Sequence, residues 1–203
     1  MCWFLRCLYI TCRKTIIPYY NRPTMSYRVI TVSGEVASGK STVAEALIKL
    51  LPGWKRINTG QRFRDFCASK GLSIQQVSHL PDEVHREFDS SQKTLLQTET
   101  NAIIEGRLSG WLGRGLEDVY KVFCYANLET RINRYMNRDN TSWDKAKKDI
   151  DDRDSKDVEK FKAIYAITDY RDQGFYDLIL DTSSLSPDAL ALTILQNAGL
   201  KIP

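Results

Sequence analysis

The most constraining feature of this chain is an eight-residue run, Gly34-Glu35-Val36-Ala37-Ser38-Gly39-Lys40-Ser41, which fits G-x-x-x-x-G-K-[ST]. It follows an apolar, β-branched run, Val29-Ile30-Thr31-Val32, and opens a segment in which Val43, Leu47, Leu50 and Leu51 recur at helical spacing. Strand, glycine-rich bend and helix in that order make a phosphate loop. The glycines let successive backbone N–H groups converge on phosphate oxygens, and the unpaired N–H groups at the helix start add partial positive charge. Lys40 is placed to reach between β- and γ-phosphates, and Ser41 offers a hydroxyl to Mg2+. Gly34, Glu35, Val36, Ala37, Ser38, Gly39, Lys40, Ser41 and Thr42 are therefore the candidate nucleotide contacts. Gly34 and Gly39 do not make G-x-G-x-x-G, which excludes a dinucleotide loop.

The rest of the chain supplies a matching architecture. Strands are expected at Arg28–Ser33, Lys55–Asn58, Ala102–Glu105, Lys121–Tyr125 and Leu178–Asp181. Helices are expected at Lys40–Leu51, Gln61–Lys70, Asp82–Thr98, Leu128–Asn137, Ser142–Ala166 and Pro187–Ala198. This alternation predicts an α/β fold of the P-loop NTPase kind, a five-stranded parallel sheet flanked by helices. With 203 residues, 42% of them hydrophobic, the chain can build one domain with a real core.

Residues 1–24 stand apart. They carry Arg6, Arg13, Lys14 and Arg22 and no acid, so 29 − 4 = 25 basic residues face 25 acidic ones in residues 25–203. The net charge of +4 belongs to this leader, and the body has no basic excess that would suit nucleic acid. Arg6 interrupts the leader's apolar stretch well short of the ~18 residues of a spanning helix, so no membrane span is expected. The leader reads as residues upstream of a start at Met25, with a targeting segment or a membrane-surface anchor as the rivals. Cys2, Cys7, Cys12, Cys67 and Cys124 show neither a disulfide framework nor zinc spacing, and a reducing, cytoplasmic compartment fits them.

Among triphosphate-binding proteins, a guanine switch is disfavoured because N-K-x-D is lacking, and a helicase motor because D-E-x-H is lacking. The third strand ends in Glu105, which joins Ser41 as a candidate metal group. A small kinase leads. A kinase acting on an alcohol needs a carboxylate base, whereas a phosphate monoester, with a second pKa of about 6, is already ionised and needs cationic screening. Arg131, Arg134 and Arg138 sit at i, i+3 and i+7, which places three guanidiniums on one helix face, and Arg153 follows. Lys40, Arg138 and Arg153 are the candidate catalytic cations, while Arg64 and Arg107 lie beyond the carboxyl ends of strands two and three. From Asn137 to Phe161, 15 of 25 residues are charged, which suits a solvated helical arm with pairs such as Lys145/Asp149 and Lys148/Asp152, or a mobile lid over a polyanion. Asp82, His85, Arg86 and Asp89 share a helix face that reads as a salt-paired surface.

Four stretches, ITVSGEVASGKSTVA, NTGQRFRDFCASKGLS, IIEGRLSGW, and DDRDSKDVEKFKAIY followed by LDTSSLS, give the chain a resemblance to a known family. From about Met25 to Pro203 it resembles the cytidylate kinases, a family of nucleoside-monophosphate kinases, in their short archaeal-type form. The resemblance implies transfer from ATP to CMP or dCMP with Mg2+, a monophosphate-binding flap at about 59–98 and a helical lid at about 138–160. It implies that Thr59, Gly60, Arg64 and Arg107 form the acceptor site, together with Arg153, Asp157 at the ribose, and Lys160. Lys160 stands where the family pattern has Arg, and Ala166-Ile167-Thr168 replaces the usual G-I-D. The partner implied is a small nucleotide, and the expected state is a monomer. A kinase for AMP, UMP or a metabolite alcohol, and a non-catalytic ATP-binding regulator, are the alternatives.

Overall fold

A computed structural model describes residues 27–72 and 80–200; the leader lies outside the described residues. Five parallel strands form the sheet: β1 (Val29–Gly34), β2 (Lys55–Asn58), β3 (Ala102–Glu105), β4 (Val119–Tyr125) and β5 (Leu178–Asp181), in the order β2-β3-β1-β4-β5. Every residue of β1 and β3 is buried, as expected of strands covered on both faces. The strand order reverses at β1, so the crevice at its carboxyl end is the natural ligand site, and the glycine-rich run begins there.

The expected bounds of the second, third and fifth strands coincide with β2, β3 and β5. The fourth starts two residues earlier than expected, because Val119 and Tyr120 continue the register opposite Val29 and Ile30. Helices α1 (Lys40–Leu50), α2 (Thr59–Ser69), α3 (Asp82–Thr98), α4 (Ser109–Leu112), α5 (Leu128–Asp139), α6 (Trp143–Tyr165) and α7 (Pro187–Ala198) surround the sheet. Asn58 caps α2 by accepting a 2.8 Å bond from the Gln61 N–H, which starts the helix at Thr59. One turn of helix, α4, has no periodic signature in four residues; the Gly110 N–H donates to Ser33 Oγ at 2.8 Å and ties it to the sheet.

On one face Val43 and Leu47 of α1 and Leu190, Ile194 and Leu195 of α7 pack on Ile30, Val32, Ile103 and Val122. On the other, Leu96, Trp111, Phe161 and Tyr170 pack on Val29, Ile104 and Phe123. Each such aliphatic or aromatic side chain contributes about 1.5–3 kcal/mol of burial. A third cluster, Val36 with Ile132, Tyr135, Ala146 and Ile150, seats the glycine-rich run against α5 and α6.

Most of the charged stretch lies in α6, a 23-residue helix stitched by Lys145–Asp149 at 3.2 Å and Lys147–Asp151 at 2.8 Å. It is not a wholly solvated arm, since Ala146, Ile150, Phe161 and Ile164 are buried. Cys67 and Cys124 are free, buried thiols. Among the described residues no helix is long and apolar enough to cross a membrane, and no group of three or more His, Cys, Asp or Glu residues could hold a metal ion.

The change to Ala at 166 has a local meaning. Ala166 caps α6 in the left-handed conformation, φ 55° and ψ 29°, where a Cβ crowds the following carbonyl and glycine is the preferred residue. Ala166→Gly should therefore stabilise the protein by about 0.5–1 kcal/mol, the conformational relief being partly offset by the freer unfolded chain. Urea denaturation checks this; a destabilised variant contradicts it.

Candidate active site

The bend from Gly34 to Gly39 is built by close approach. A Cβ on Gly34 would collide with the Cys124 carbonyl, and Gly39 has φ 81° and ends the bend at the first turn of α1. No side chain caps this helix start and no acid lies in its first turn. Its leading N–H groups are thus available to an anion, aided by the helix dipole. Lys40 Nζ donates to the Glu35 carbonyl at 3.0 Å, folding back over the bend, and Ser41 and Thr42 are exposed.

Three ion pairs and two hydrogen bonds hold this loop in place. Arg131 donates from Nε to the Val36 carbonyl at 2.9 Å, pairs through Nη1 with Glu35 at 3.0 Å, and pairs through Nη2 with Asp154. Asp154 also accepts from the Val36 N–H at 3.2 Å and from Arg107 at 3.3 Å. The expectation of three guanidiniums facing a substrate is corrected here. Arg131 is buried under the loop, and Arg134 bonds Thr182 Oγ1 at 2.9 Å while Thr182 Oγ1 donates to the Ser38 carbonyl at 2.8 Å. Only Arg138 of the three lines the cleft, resting 4.8 Å from the Tyr135 ring centroid and pairing with Asp139 at 2.7 Å.

Beyond the loop opens a cleft of about 900 Å³. It brings together Val36, Ala37, Lys40 and Ser41 of the loop with the expected Thr59, Gly60, Arg64, Glu105, Arg107, Arg138, Arg153, Asp157 and Lys160. Gly34, Glu35, Ser38, Gly39 and Thr42 shape the bend and its flanks without lining this cleft. Arg153 is exposed, and Arg64 is steered by Gln61 Oε1 at 2.6 Å. Arg107 is half-buried between Asp154 and Asp157, and Asp157 also takes Lys160 at 3.3 Å. Asp157, which the resemblance assigns to a ribose, is thus held by two cations in this arrangement.

Charge is concentrated here at a cost. Burial, and then the positive charge of Arg107, lower the Lys40 ammonium to about 8, with Glu105 opposing. Lys160 is likewise lowered to about 8, by burial, with Asp89 opposing and Arg107 adding repulsion. Glu105 is 2% exposed; its Oε1 accepts from Arg56 at 2.7 Å and from Asn58, while Oε2 has no partner among the described residues.

The face of α3 read as a salt-paired surface is also corrected. Asp82, His85 and Asp89 line the cleft with Phe88 and Gln92, and Arg86 alone turns away, 6.0 Å from the Tyr165 ring centroid. Asp89 accepts from the Tyr165 hydroxyl at 2.6 Å, and burial raises its carboxyl above the usual range. Phe63 of α2 meets Phe88 edge-on at 4.9 Å and stacks on His85 at 5.5 Å. Gln92 is 2% exposed; its Nε2 donates to Ser91 Oγ at 3.2 Å and its Oε1 has no partner among the described residues. The signal for this wall was the i, i+3, i+4, i+7 spacing of His85, Phe88, Asp89 and Gln92, which marks one face without saying what it faces.

The parallel sheet and its phosphate cradle define the fold of the phosphate-loop kinases. Solved structures with this fold include an uncharacterized protein from Eubacterium ventriosum, at TM-score 0.66 and 14% identity over 86% of this chain and 99% of that one. A shikimate kinase from Acinetobacter baumannii superposes at TM-score 0.54 and 17% identity, over 86% and 96%. The model of the cytidylate kinase-like family matches residues 29–184, and the chain belongs to that family. Its curated relatives include the cytidylate kinases of Thermoplasma volcanium, 33% identical over 82% of this chain and 88% of that one, and of Sulfurisphaera tokodaii, 34% identical over 82% and 92%.

Removing the Asp154 carboxylate should unlock the loop. Asp154→Ala leaves Arg107 and Arg131 short of a partner and should cost about 2–3 kcal/mol, less than a fully buried pair because the side chain is partly exposed. Asp144→Ala, in the first turn of the same helix and solvent-facing, loses only an exposed helix-dipole contact and should cost at most about 1 kcal/mol. Urea midpoints of the two variants check the contrast.

Proposed function

We propose that this protein is a nucleoside-monophosphate kinase that transfers the γ-phosphoryl group of ATP to CMP or dCMP, giving ADP and CDP or dCDP. The observation that carries this reading is the continuity of the cleft: the phosphate cradle with Lys40 and the cationic group of Arg107, Arg153 and Lys160 line one cavity. Two polyanions can meet there only if their repulsion is screened, and these side chains supply that screening.

The reaction asks for little covalent help from the protein. At neutral pH the acceptor's phosphate is largely a dianion, so its oxygen can attack without a general base. The loop N–H groups and Lys40 would bind the β- and γ-phosphates, and Arg107, Arg153 and Lys160 would orient the acceptor phosphate in line. Arg138, exposed at the end of α5, would add charge to the spreading oxygens of the transferring group. The residues present fit Mg2+: the exposed Ser41 hydroxyl, a hard oxygen donor, would hold it, together with Glu105, whose Oε2 is a buried carboxylate oxygen with no protein partner among the described residues. When bound, Mg2+ would neutralise charge on the β- and γ-oxygens.

On this reading the flap, at about 59–98, would take in α2, with Thr59, Gly60 and Arg64 at its start, and α3, and the lid, at about 138–160, would take in the end of α5 with most of α6. Lys160 keeps a cation where the family pattern has Arg, but without a planar fork it contacts phosphate as a point charge. The same reading takes the enzyme as a monomer of the cytoplasm, a setting that the free Cys67 and Cys124 thiols suit.

Coupled ADP-release assays with CMP, dCMP, UMP, AMP and simple alcohols test the assignment. CMP or dCMP should lead the panel, and a preferred alcohol overturns it. Lys40→Ala should lower kcat/KM by about 10²- to 10³-fold with little change in the unfolding midpoint. The low Lys40 pKa has a further consequence. The ammonium is cationic below about pH 8 and neutral above it, and bound triphosphate favours the cation. Binding at pH 8.5 should therefore take up protons, and affinity should fall as pH rises beyond 8. Calorimetry in two buffers of different ionisation enthalpy reads this directly; the same heat in both contradicts it.

A further inference from the structure

We infer that Gln92 determines base specificity by accepting a hydrogen bond from the exocyclic 4-amino group of cytosine. This role deepens the acceptor reading proposed above and rests on it. Gln92 lies on the inner face of α3, is 2% exposed and lines the cleft. An amide can in principle turn either end to a ligand, and so would accept from cytosine or donate to the 4-oxo group of uracil equally well. Here its neighbour fixes which way the amide is turned. The Ser91 hydroxyl gives its single proton to the Phe88 carbonyl at 2.6 Å, so its oxygen can only accept from Gln92, and it takes the Nε2 hydrogen at 3.2 Å. One Nε2 hydrogen is thereby engaged, and the atom left wholly unpaired is Oε1, a buried acceptor with no partner among the described residues.

A buried acceptor without a donor costs more than a hydrogen bond gains, so the site favours a ligand that brings an N–H. Cytosine brings one at its 4-amino group. Uracil sets a second acceptor against Oε1 in a dry site, which leaves both oxygens unsatisfied. Phe63 and Phe88, edge to face at 4.9 Å on the same wall, provide the apolar surface that a pyrimidine ring needs beside this polar contact.

The test is steady-state kinetics with CMP, UMP and the 2-pyrimidinone ribonucleoside monophosphate, which is CMP without its 4-amino group. Wild-type protein should prefer CMP to either analogue by roughly tenfold or more. Gln92→Met should lower kcat/KM for CMP by roughly ten- to a hundredfold while changing the 2-pyrimidinone substrate less than about threefold, because that substrate lacks the group Gln92 reads. Ser91→Ala frees the amide to turn and should raise UMP relative to CMP. A Gln92→Met enzyme that keeps the wild-type ratio of CMP to 2-pyrimidinone substrate overturns the role, as does a wild-type enzyme that prefers UMP. Should Gln92→Met fail to fold, Ser91→Ala decides alone, and an unchanged CMP to UMP ratio overturns it. Wild-type protein that phosphorylates no monophosphate refutes the kinase reading itself, and the role of Gln92 falls with it; turnover of CMP with unchanged ratios in both variants refutes only Gln92.

Discussion

Asp154 is the carboxylate on which the site's geometry turns. It accepts from the Val36 N–H of the glycine-rich loop, from Arg131 of α5 and from Arg107 after β3, and it is itself carried by α6. One side chain thereby connects the cradle, the helix behind it, the cationic group in front of it and the long charged helix. A cleft that is to receive two polyanions, as proposed, must concentrate positive charge, and that charge repels itself when no ligand is bound. Acidic partners inside the framework offset the repulsion: Asp154 and Asp157 hold Arg107, and Glu35 and Asp154 hold Arg131.

Burial leaves strain on two further cations, one of which, Lys160, lies 3.3 Å from Asp157. Lys40 and Lys160 are both lowered to about 8, each by burial first; Arg107 adds repulsion at both, while Glu105 opposes the shift at Lys40 and Asp89 at Lys160. On the proposed reading a bound phosphate would relieve both at once, because it would supply the counter-charge and replace the lost solvation. Binding energy would then be stored partly as uncompensated charge, and two ligands could share the cavity without a base between them.

Specificity is built differently from charge. In the proposed site the phosphates would be held by ions and backbone N–H groups, which recognise any phosphate. The α3 wall instead carries aromatic rings, the Asp89–Tyr165 contact and the Gln92 amide, and it is the directional hydrogen bonding of that amide that would distinguish one base from another.

Local pattern was enough for the parts of this protein that depend on neighbours in the chain. The strand, bend and helix around Lys40 were legible because a phosphate loop is made by consecutive residues, and β3 and β5 because they carry the apolar runs Ala102-Ile103-Ile104 and Leu178-Ile179-Leu180, whereas the edge strand β2 has Ile57 as its one apolar residue. Helical spacing also placed Arg131, Arg134 and Arg138 on one face, and Asp82, His85 and Asp89 on another. Spacing cannot say what a face meets. Packing of α5 beneath the loop made Arg131 and Arg134 structural and left only Arg138 at the cleft, while packing of α3 over the cleft turned an apparent surface into its wall. The sequence by itself determined which side chains stand together on each element. Only the tertiary structure decided which of those groups the cleft receives, because that depends on contacts between residues dozens to more than a hundred positions apart.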